Sequence, residues 1–139
     1  MNPLFLPLLG QVFLTFLVWF ALVFYRVYVI QIRGIHPQVL ADEAKNQEIY
    51  RSGVHLSDHF ENLFEVPVLF FAAILTSMQA GLIDERQVLL AWIFVALRAG
   101  QSITHLTVNH IATRFTFYLL SSLCCFGLWL RLALQALVP

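Results

Sequence analysis

Four long apolar segments make up most of this 139-residue chain, and they constrain its fold more than any short motif. The first, residues 3–25, reads PLFLPLLGQVFLTFLVWFALVFY and contains no charged side chain. A helix of about 20 apolar residues crosses the hydrocarbon core of a bilayer, which is about 30 Å thick. Three further apolar segments follow, at residues 66–83, 87–106 and 115–138. The sequence therefore predicts an all-α integral membrane protein with four spanning helices.

The composition agrees with a membrane protein. Apolar residues make up 60% of the chain and charged residues only 12%, whereas soluble domains carry about 25% charged residues. The net charge is zero, so a nucleic-acid partner has no electrostatic support. Short connections between neighbouring spans favour an antiparallel, up-and-down four-helix bundle. We expect one membrane domain over residues 1–139, with helices at about 3–30, 59–83, 87–109 and 114–137.

The distribution of basic residues predicts the orientation of the bundle. The long first link, residues 26–58, and the third link lie on one side of the membrane and carry most of the basic residues, which are Arg26, Arg33, Lys45, Arg51 and Arg114. The opposite side has Arg86 and Arg131. By the positive-inside rule both termini face away from the cytoplasm. We expect a multi-pass membrane protein, with a short interfacial helix within residues 37–53.

Arg98 is a charged residue in the middle of the third span. It lies about 11 residues into that segment, so its depth is about 16 Å at 1.5 Å per residue. An uncompensated charge there costs at least about 2.5 kcal/mol. Glu65 lies in the second span, at a depth measured from the same side, and we expect the two side chains to pair. Such a pair has two interpretations. It either holds two helices of the bundle together or forms part of a polar cavity that binds a charged ligand.

Polar residues form a stripe on the third span. Arg98, Gln101, Ser102, His105 and Asn109 are spaced i, i+3, i+4, i+7 and i+11, which places them on one helical face. Such a stripe must face protein or water rather than lipid. We therefore expect the second and third spans to present polar faces to each other, around a cavity that opens towards the cytoplasmic links.

These motifs resemble a known family. Asn62-x-x-Glu65 followed by Pro67, and the stretch RAGQSITHLTVNHIATRFTFY with arginines at 98 and 114, are similar to the signatures of the membrane-associated proteins in eicosanoid and glutathione metabolism, the MAPEG superfamily. The run NLFEVPVLF and the pair Ala91–Trp92 are similar to a bacterial branch of that superfamily, which implies a bacterial inner membrane. The resemblance extends over the whole chain.

The resemblance implies a homotrimer of four-helix protomers. Many members of the superfamily bind glutathione between neighbouring protomers. Asn62, Glu65 and Arg98 match residues that form a buried polar network around the peptide. Arg33 matches an arginine that contacts the ligand's carboxylates. His105 stands where a tyrosine is often found, and we expect it to complete the pocket.

The implied chemistry centres on Arg114, which matches an arginine that stabilises the glutathione thiolate. Tyr118 matches a tyrosine one helical turn beyond that arginine. A thiol with an ordinary pKa of about 8.5 is mostly protonated at neutral pH, and a nearby guanidinium favours the nucleophilic thiolate. The resemblance thus implies a transferase or peroxidase that uses glutathione or another thiol on apolar electrophiles or lipid hydroperoxides. We expect membrane lipids and an apolar small molecule as partners.

Two other functions are compatible with the sequence. Asp58, His59 and Glu61 stand where glutathione-binding members usually carry arginine, and acids there would repel a ligand with two carboxylates. This favours a non-catalytic trimer that binds a lipid or a partner helix. His55 and His59, at i and i+4 with Asp58 between them, have a spacing that can hold a metal on one helical face. Five histidines in all are few for a histidine-box enzyme, so we expect no bound metal.

Overall fold

The computed structural model describes residues 2–51, 54–107 and 110–137, with Pro37, Glu43, Val54 and His55 described by their backbone alone. The described residues are helical and include no strand, so the predicted all-α fold is confirmed. The helices are α1 (Phe5–Arg33), α2 (Glu43–Ile49), α3 (Val54–Asn62), α4 (Val66–Ala80), α5 (Glu85–Leu106) and α6 (Ile111–Leu137). Four segments are long and apolar enough to cross a membrane, namely α1, the α3–α4 unit from Leu56 to Ala80, α5 and α6.

Helix α1 buries only a narrow stripe of its surface. The buried residues are Pro7, Gln11, Val18, Leu22 and Val29, which recur at intervals of four and seven residues. The aromatic residues on its other faces are exposed on the single chain. This arrangement suits a helix whose outer surface meets lipid, because apolar side chains there need no protein partner. The helix ends at Gly34, which adopts the left-handed conformation (φ 57°) that glycine accepts without steric cost.

The link after α1 contains a short 3-10 helix, Pro37–Ala41, followed by α2. Asp42 caps α2, since its carboxylate accepts a hydrogen bond from the Ala44 N–H at 3.1 Å. The predicted short helical segment is therefore present, divided into a 3-10 helix and α2. It ends at Ile49, earlier than the sequence suggested, while Gly53 lies outside the described residues.

The second span is interrupted, in contrast to the continuous helix that we predicted over residues 59–83. Helix α3 ends at Asn62, residues 63–65 form a turn, and α4 begins at Val66. Pro67 lies at the start of α4, where its missing N–H removes no hydrogen bond that a helix start would form. A proline in a continuous helix would clash with the preceding turn, so the chain breaks just before it.

The apolar core joins α4, α5 and α6. Phe70 of α4 and Phe94 of α5 stack with ring centroids 4.2 Å apart, and both side chains are fully buried. Cys125 of α6 is buried in the same cluster, and Cys124 beside it is also a free thiol. Both cysteines therefore pack as small apolar residues.

Helices α5 and α6 form the most extensive helix pair, and they pack closely at Gly100. A Cβ atom built on Gly100 would lie 2.8 Å from the Phe117 ring, closer than van der Waals contact allows. At Gly127, on the same interface, the nearest atom would be a Leu90 methyl at 3.6 Å, an ordinary contact. The two glycines thus offer a matched test of this packing.

Replacing Gly100 by alanine should lower the free energy of unfolding in detergent by roughly 1–3 kcal/mol, because Phe117 must move. Gly127→Ala should be neutral or stabilising by up to about 1 kcal/mol, since alanine favours the helix. Thermal unfolding of the two variants in parallel measures the difference. Equal stabilities would contradict the close packing at Gly100.

The connection between α4 and α5 is held by a polar network around Asp84. Its carboxylate accepts hydrogen bonds from Arg131 Nε at 2.7 Å and Gln135 Nε2 at 3.1 Å, both on α6. It also accepts a hydrogen bond from the Gln87 backbone N–H at 2.8 Å. The Gln87 side-chain oxygen in turn accepts a hydrogen bond from the Asp84 backbone N–H, which completes a capping box. The start of α5 is thereby fixed to the end of α6.

The pKa of Asp84 reflects this network. Partial burial acts to raise the pKa, but the hydrogen bonds from Gln87 and Arg131 and the positive charge of Arg131 outweigh it. The pKa in the folded protein is therefore below its ordinary value of 3.8. Because the folded-state pKa is depressed, the stabilisation is complete above the unfolded-state pKa and is lost as pH falls through the folded-state value.

Asp84→Asn should lower stability by about 1 kcal/mol at neutral pH, because asparagine keeps the helix cap but removes the ion pair. The difference from the unmodified protein should shrink as the pH falls below 3.8, the ordinary pKa that applies to the unfolded chain, and should vanish below the depressed pKa of the folded state. Melting temperatures measured across pH would show this, with the neighbouring Glu85→Gln as control. A difference that is independent of pH would rule out the ion pair as its cause.

Candidate functional site

Helix α3 has two faces with different neighbours. His59 is fully buried and faces α5, where its Nε2 lies 2.8 Å from the Ser102 Oγ. The rings of His59 and His105 also lie together, with centroids 4.6 Å apart. The second and third spans therefore meet through polar side chains, as we predicted, although His59 rather than Glu65 makes the contact.

The polar stripe of α5 is buried. Arg98, Gln101, Ser102 and His105 are each 3% exposed or less, which confirms that this face points into the protein. Ser102 anchors the stripe internally, since its hydroxyl donates to the Arg98 carbonyl oxygen at 2.9 Å. The last predicted member, Asn109, lies outside the described residues.

The guanidinium of Arg98 is surrounded by rings and an amide. Its Nη1 donates to the Gln101 Oε1 at 2.8 Å, and its Cζ lies 5.6 Å from the ring centroids of both Phe94 and Tyr118. A cation over an aromatic face is attracted by the ring quadrupole, more strongly where water is excluded. Its Nε and Nη2 have no hydrogen-bond partner among the described residues. The buried charge is thus only partly compensated within one chain.

The predicted ion pair between Glu65 and Arg98 is not formed within the chain. Glu65 lies in the turn between α3 and α4 with its side chain exposed, and no ion pair within 4 Å joins it to Arg98 in the described structure. The charge of Glu65 still acts on the Arg98 guanidinium, but the carboxylate is exposed in the turn before Pro67 and makes no direct contact with it. The predicted ion pair is therefore a longer-range attraction within one chain.

A cavity of about 290 Å³ lies where α3, α5 and α6 meet. Its lining residues are Asn62, Gln101, Ile111, Arg114, Phe115 and Tyr118. Three of the predicted site residues, Asn62, Arg114 and Tyr118, thus come together. Arg98 is next to the cavity, because it bonds to Gln101 and faces the Tyr118 ring.

The cavity combines polar and apolar walls. Arg114 is half-buried in the first turn of α6 and is the only charged residue among the described lining residues. Ile111 and Phe115, which flank it, are 79% and 62% exposed on the single chain. A cation beside exposed apolar surface can hold an anionic group next to an apolar molecule.

Two predicted residues lie elsewhere. Arg33 is exposed at the end of α1, where its Nη1 donates to the Ile49 carbonyl oxygen at 3.2 Å and links α1 to the end of α2. His105 is buried one turn beyond Gln101 and contacts His59 rather than the cavity. Neither residue lines the Arg114 cavity within one chain.

The acidic residues before Asn62 lie outside this cavity. Asp58 and Glu61 line a separate cavity together with Arg26 and Arg51. The Asn62 amide donates to the Asp58 carbonyl oxygen at 2.8 Å. Glu61 therefore lies on the α1 side of α3, whereas Asp58, four residues before Asn62, lies at the border between the two cavities.

Gln101 and His59 were not predicted as ligand-binding residues, although both contribute to this region of the structure. Gln101 was visible as a member of the α5 stripe, three residues after Arg98. His59 precedes Asn62 by three residues, so helical spacing places both on one face. The proximity of α3 to this part of α5 could not be obtained from spacing alone.

The histidine pair that we considered for metal binding is not assembled into a metal site in the described part of the chain. No group of three or more histidine, cysteine, aspartate or glutamate side chains is placed there to hold an ion. His59 faces Ser102, and the side chain of His55 lies outside the description.

The positions of Glu65 and His59 predict unequal contributions to stability. Glu65→Gln should change the unfolding free energy by less than about 0.5 kcal/mol, because Glu65 is exposed and makes no ion pair within the chain. His59→Ala should cost more than about 2 kcal/mol, because it leaves a cavity and removes the bond to Ser102. Thermal unfolding of both variants tests this ranking. If Glu65→Gln loses as much stability as His59→Ala, Glu65 does form a structural ion pair.

Comparison with known proteins assigns the family. A family model described as the MAPEG family matches residues 4–134 of the chain. No curated protein and no solved structure matches. The match covers nearly the whole chain and includes α1 to α5 in full and most of α6. This multi-pass membrane protein therefore belongs to the MAPEG family.

Proposed function

We propose that this protein is a membrane transferase or peroxidase that uses glutathione or another thiol, with Arg114 stabilising the thiolate. The observation that carries the proposal is the cavity in which Arg114 lies between amide groups and exposed apolar side chains. The amides of Asn62 and Gln101 offer donors and acceptors for a peptide backbone. Ile111 and Phe115 offer an apolar surface for a membrane-soluble substrate.

The chemistry requires a deprotonated thiol beside an electrophile. A guanidinium near the sulfur stabilises the thiolate and so lowers the pKa of the thiol. With a chlorinated aromatic substrate, the sulfur forms a bond to carbon and chloride leaves. With a hydroperoxide, the sulfur attacks the terminal oxygen and the O–O bond breaks. The alkoxide takes a proton from solvent, and a second thiol converts the sulfenic acid to a disulfide with release of water.

The other predicted residues have different roles in this proposal. Arg98 adds positive charge next to the cavity, and Tyr118 separates it from the ligand as a shared wall. His105 lies outside the cavity and packs against His59, so its role in this proposal is to hold α3 against α5. Arg33 and Glu65 are exposed and lie outside this cavity, so we propose that they reach ligand only in a homotrimer, from a neighbouring protomer.

The direction in which the acids point supports glutathione as the ligand. Asp58 and Glu61 were the main sequence feature against a peptide with two carboxylates. Both line the cavity on the α1 side of α3, while no acid is among the described residues that line the Arg114 cavity. Because both carboxylates line a different cavity from Arg114, their repulsion of a ligand bound beside Arg114 is reduced.

We further propose that the cavity opens to the cytoplasm of a bacterial inner membrane, with both termini on the other side. The end of the bundle near Arg114 also carries Arg26, Arg33 and Arg51, whereas the opposite end carries Arg86 and Arg131. This asymmetry follows the positive-inside rule. Glutathione and other soluble thiols are then available from the reducing compartment.

Arg114→Ala should lower kcat/KM for glutathione with a chlorinated dinitroaromatic roughly 10²-fold, since it removes the charge that stabilises the thiolate. Arg114→Lys should lose less, because the lysine keeps a point charge. The pKa of bound glutathione, read from thiolate ultraviolet absorbance across pH, should rise in Arg114→Ala. Arg86→Ala, an exposed arginine at the other end of the bundle, is the matched control.

Two outcomes would count against this function. If Arg114→Ala leaves the thiol pKa unchanged, Arg114 is not the thiolate partner. If calorimetry detects no glutathione binding up to millimolar concentrations and no thiol supports turnover, a non-catalytic membrane protein that binds a lipid or a partner helix is favoured instead.

A further inference from the structure

An apolar groove runs between α1 and the α3–α4 unit, on the opposite side of α3 from the Arg114 cavity. It encloses about 380 Å³. Five aromatic side chains line most of it, namely Phe16, Trp19, Phe60, Phe64 and Phe71. Phe60 and Phe64 pack edge to face with centroids 5.0 Å apart, and Phe16 packs in the same way on Trp19 at 6.5 Å. The groove is thus an aromatic-walled channel within the membrane-spanning part of the chain.

A polar cavity of about 600 Å³ lies between the same two helices and α2. Its lining includes both signs of charge, namely two arginines, Arg26 and Arg51, and three acids, Glu48, Asp58 and Glu61. Arg26 is held in place by two contacts. It donates to the Ser57 Oγ at 3.3 Å, and its Cζ lies 5.7 Å from the Tyr50 ring centroid.

The groove and the polar cavity follow one face of each helix. On α1, residues 12, 15, 16 and 19 line the groove and Arg26 lines the polar cavity, all at spacings that keep one helical face. On the α3 side, Ser57 and Glu61 line the polar cavity while Phe60 and Phe64 line the groove. Trp19 and Arg26 are separated by about 10 Å along the axis. The apolar part therefore lies deeper in the membrane and the polar part at its surface.

The charges in the polar cavity do not neutralise one another directly. Among the described residues, no ion pair within 4 Å joins either arginine to any of the three acids. Both signs of charge are instead distributed around the same space. Such a wall complements a ligand that carries a negative and a positive group a short distance apart.

We propose that this groove binds a glycerophospholipid with a phosphoethanolamine head group, one acyl chain lying along the aromatic channel. Arg26 and Arg51 bind the phosphate, and the carboxylates accept hydrogen bonds from the primary ammonium. Three acids against two arginines disfavour a head group with net negative charge. A quaternary ammonium is also disfavoured, because it has no N–H to donate.

Native mass spectrometry of the detergent-purified intact oligomer tests the proposal. The protein is incubated with equal concentrations of phosphatidylethanolamine, phosphatidylglycerol and phosphatidylcholine that carry identical acyl chains. We expect phosphatidylethanolamine to be retained about tenfold more than the others, the scale expected of one charge-assisted hydrogen bond. Equal retention of the three lipids would overturn the proposal, since it would indicate annular lipid only.

Charge reversal in the polar cavity provides the sharper experiment. Glu61→Lys changes its described charges from two positive and three negative to three positive and two negative, so the preference should move to phosphatidylglycerol. Glu61→Gln should reduce the preference for phosphatidylethanolamine without reversing it, and it serves if the lysine variant does not fold. Glu85→Lys makes the same charge change at the other end of the bundle and should leave the lipid ratio unaltered. An unchanged ratio in both Glu61 variants would overturn the head-group assignment.

The lipid site is separable from the proposed thiol site. Arg114→Ala should leave the lipid ratio unchanged, because Arg114 lines a cavity on the other face of α3. Excess glutathione should not displace the bound lipid. Displacement would overturn the proposal, because the polar cavity would then belong to the peptide ligand.

Discussion

The buried guanidinium of Arg98 is the constraint on which the arrangement of the bundle depends. A permanent charge in the middle of a span excludes that face of α5 from lipid, so neighbouring helices must cover it. The cover consists of aromatic rings from α5 and α6 and the amide of Gln101, rather than a carboxylate. Ser102 and His105 continue the same face and bring the histidine of α3 against it. The polar stripe of one helix thus determines which faces of α3 and α6 are turned inwards.

The two faces of α3 follow from this arrangement. Once His59 is directed to α5, Asn62 three residues later faces the same way, while Glu61 must face α1. The acidic residues therefore end in a cavity with Arg26 and Arg51, separate from Arg114. A short helix that the chain interrupts just before Pro67 can present two unrelated polar environments. A longer, continuous helix would have carried Glu65 along the inner face as well.

Much of the architecture was accessible from the sequence because it depends on local properties. Uninterrupted apolar length predicts a span, and the i, i+3, i+4, i+7 pattern predicts which face of α5 is buried. The failures concern contacts between residues distant in the sequence. The partner of Arg98 was assigned by depth in the membrane, yet depth does not determine which way a side chain points. The network of Asp84 with Arg131 joins residues 47 positions apart, and no periodicity reveals such a pairing. Of the predicted site residues, Asn62, Arg114 and Tyr118 line one cavity, whereas Arg33 and Glu65 lie outside it.

The incomplete compensation of Arg98 bears on how a site can form here at all. Two of its nitrogen donors have no partner in the described chain, and a buried donor left unsatisfied costs about 1–3 kcal/mol. A fold selected for stability alone would either pair Arg98 with a carboxylate or have an apolar residue in its place. The chain instead keeps a charge beside a half-open cavity whose walls include two amides, a phenol ring and a second arginine. The polar site costs stability at Arg98, while Phe94, one helical turn before it, packs regularly on Phe70. This is the pattern expected where a polar binding site is built inside an otherwise apolar bundle.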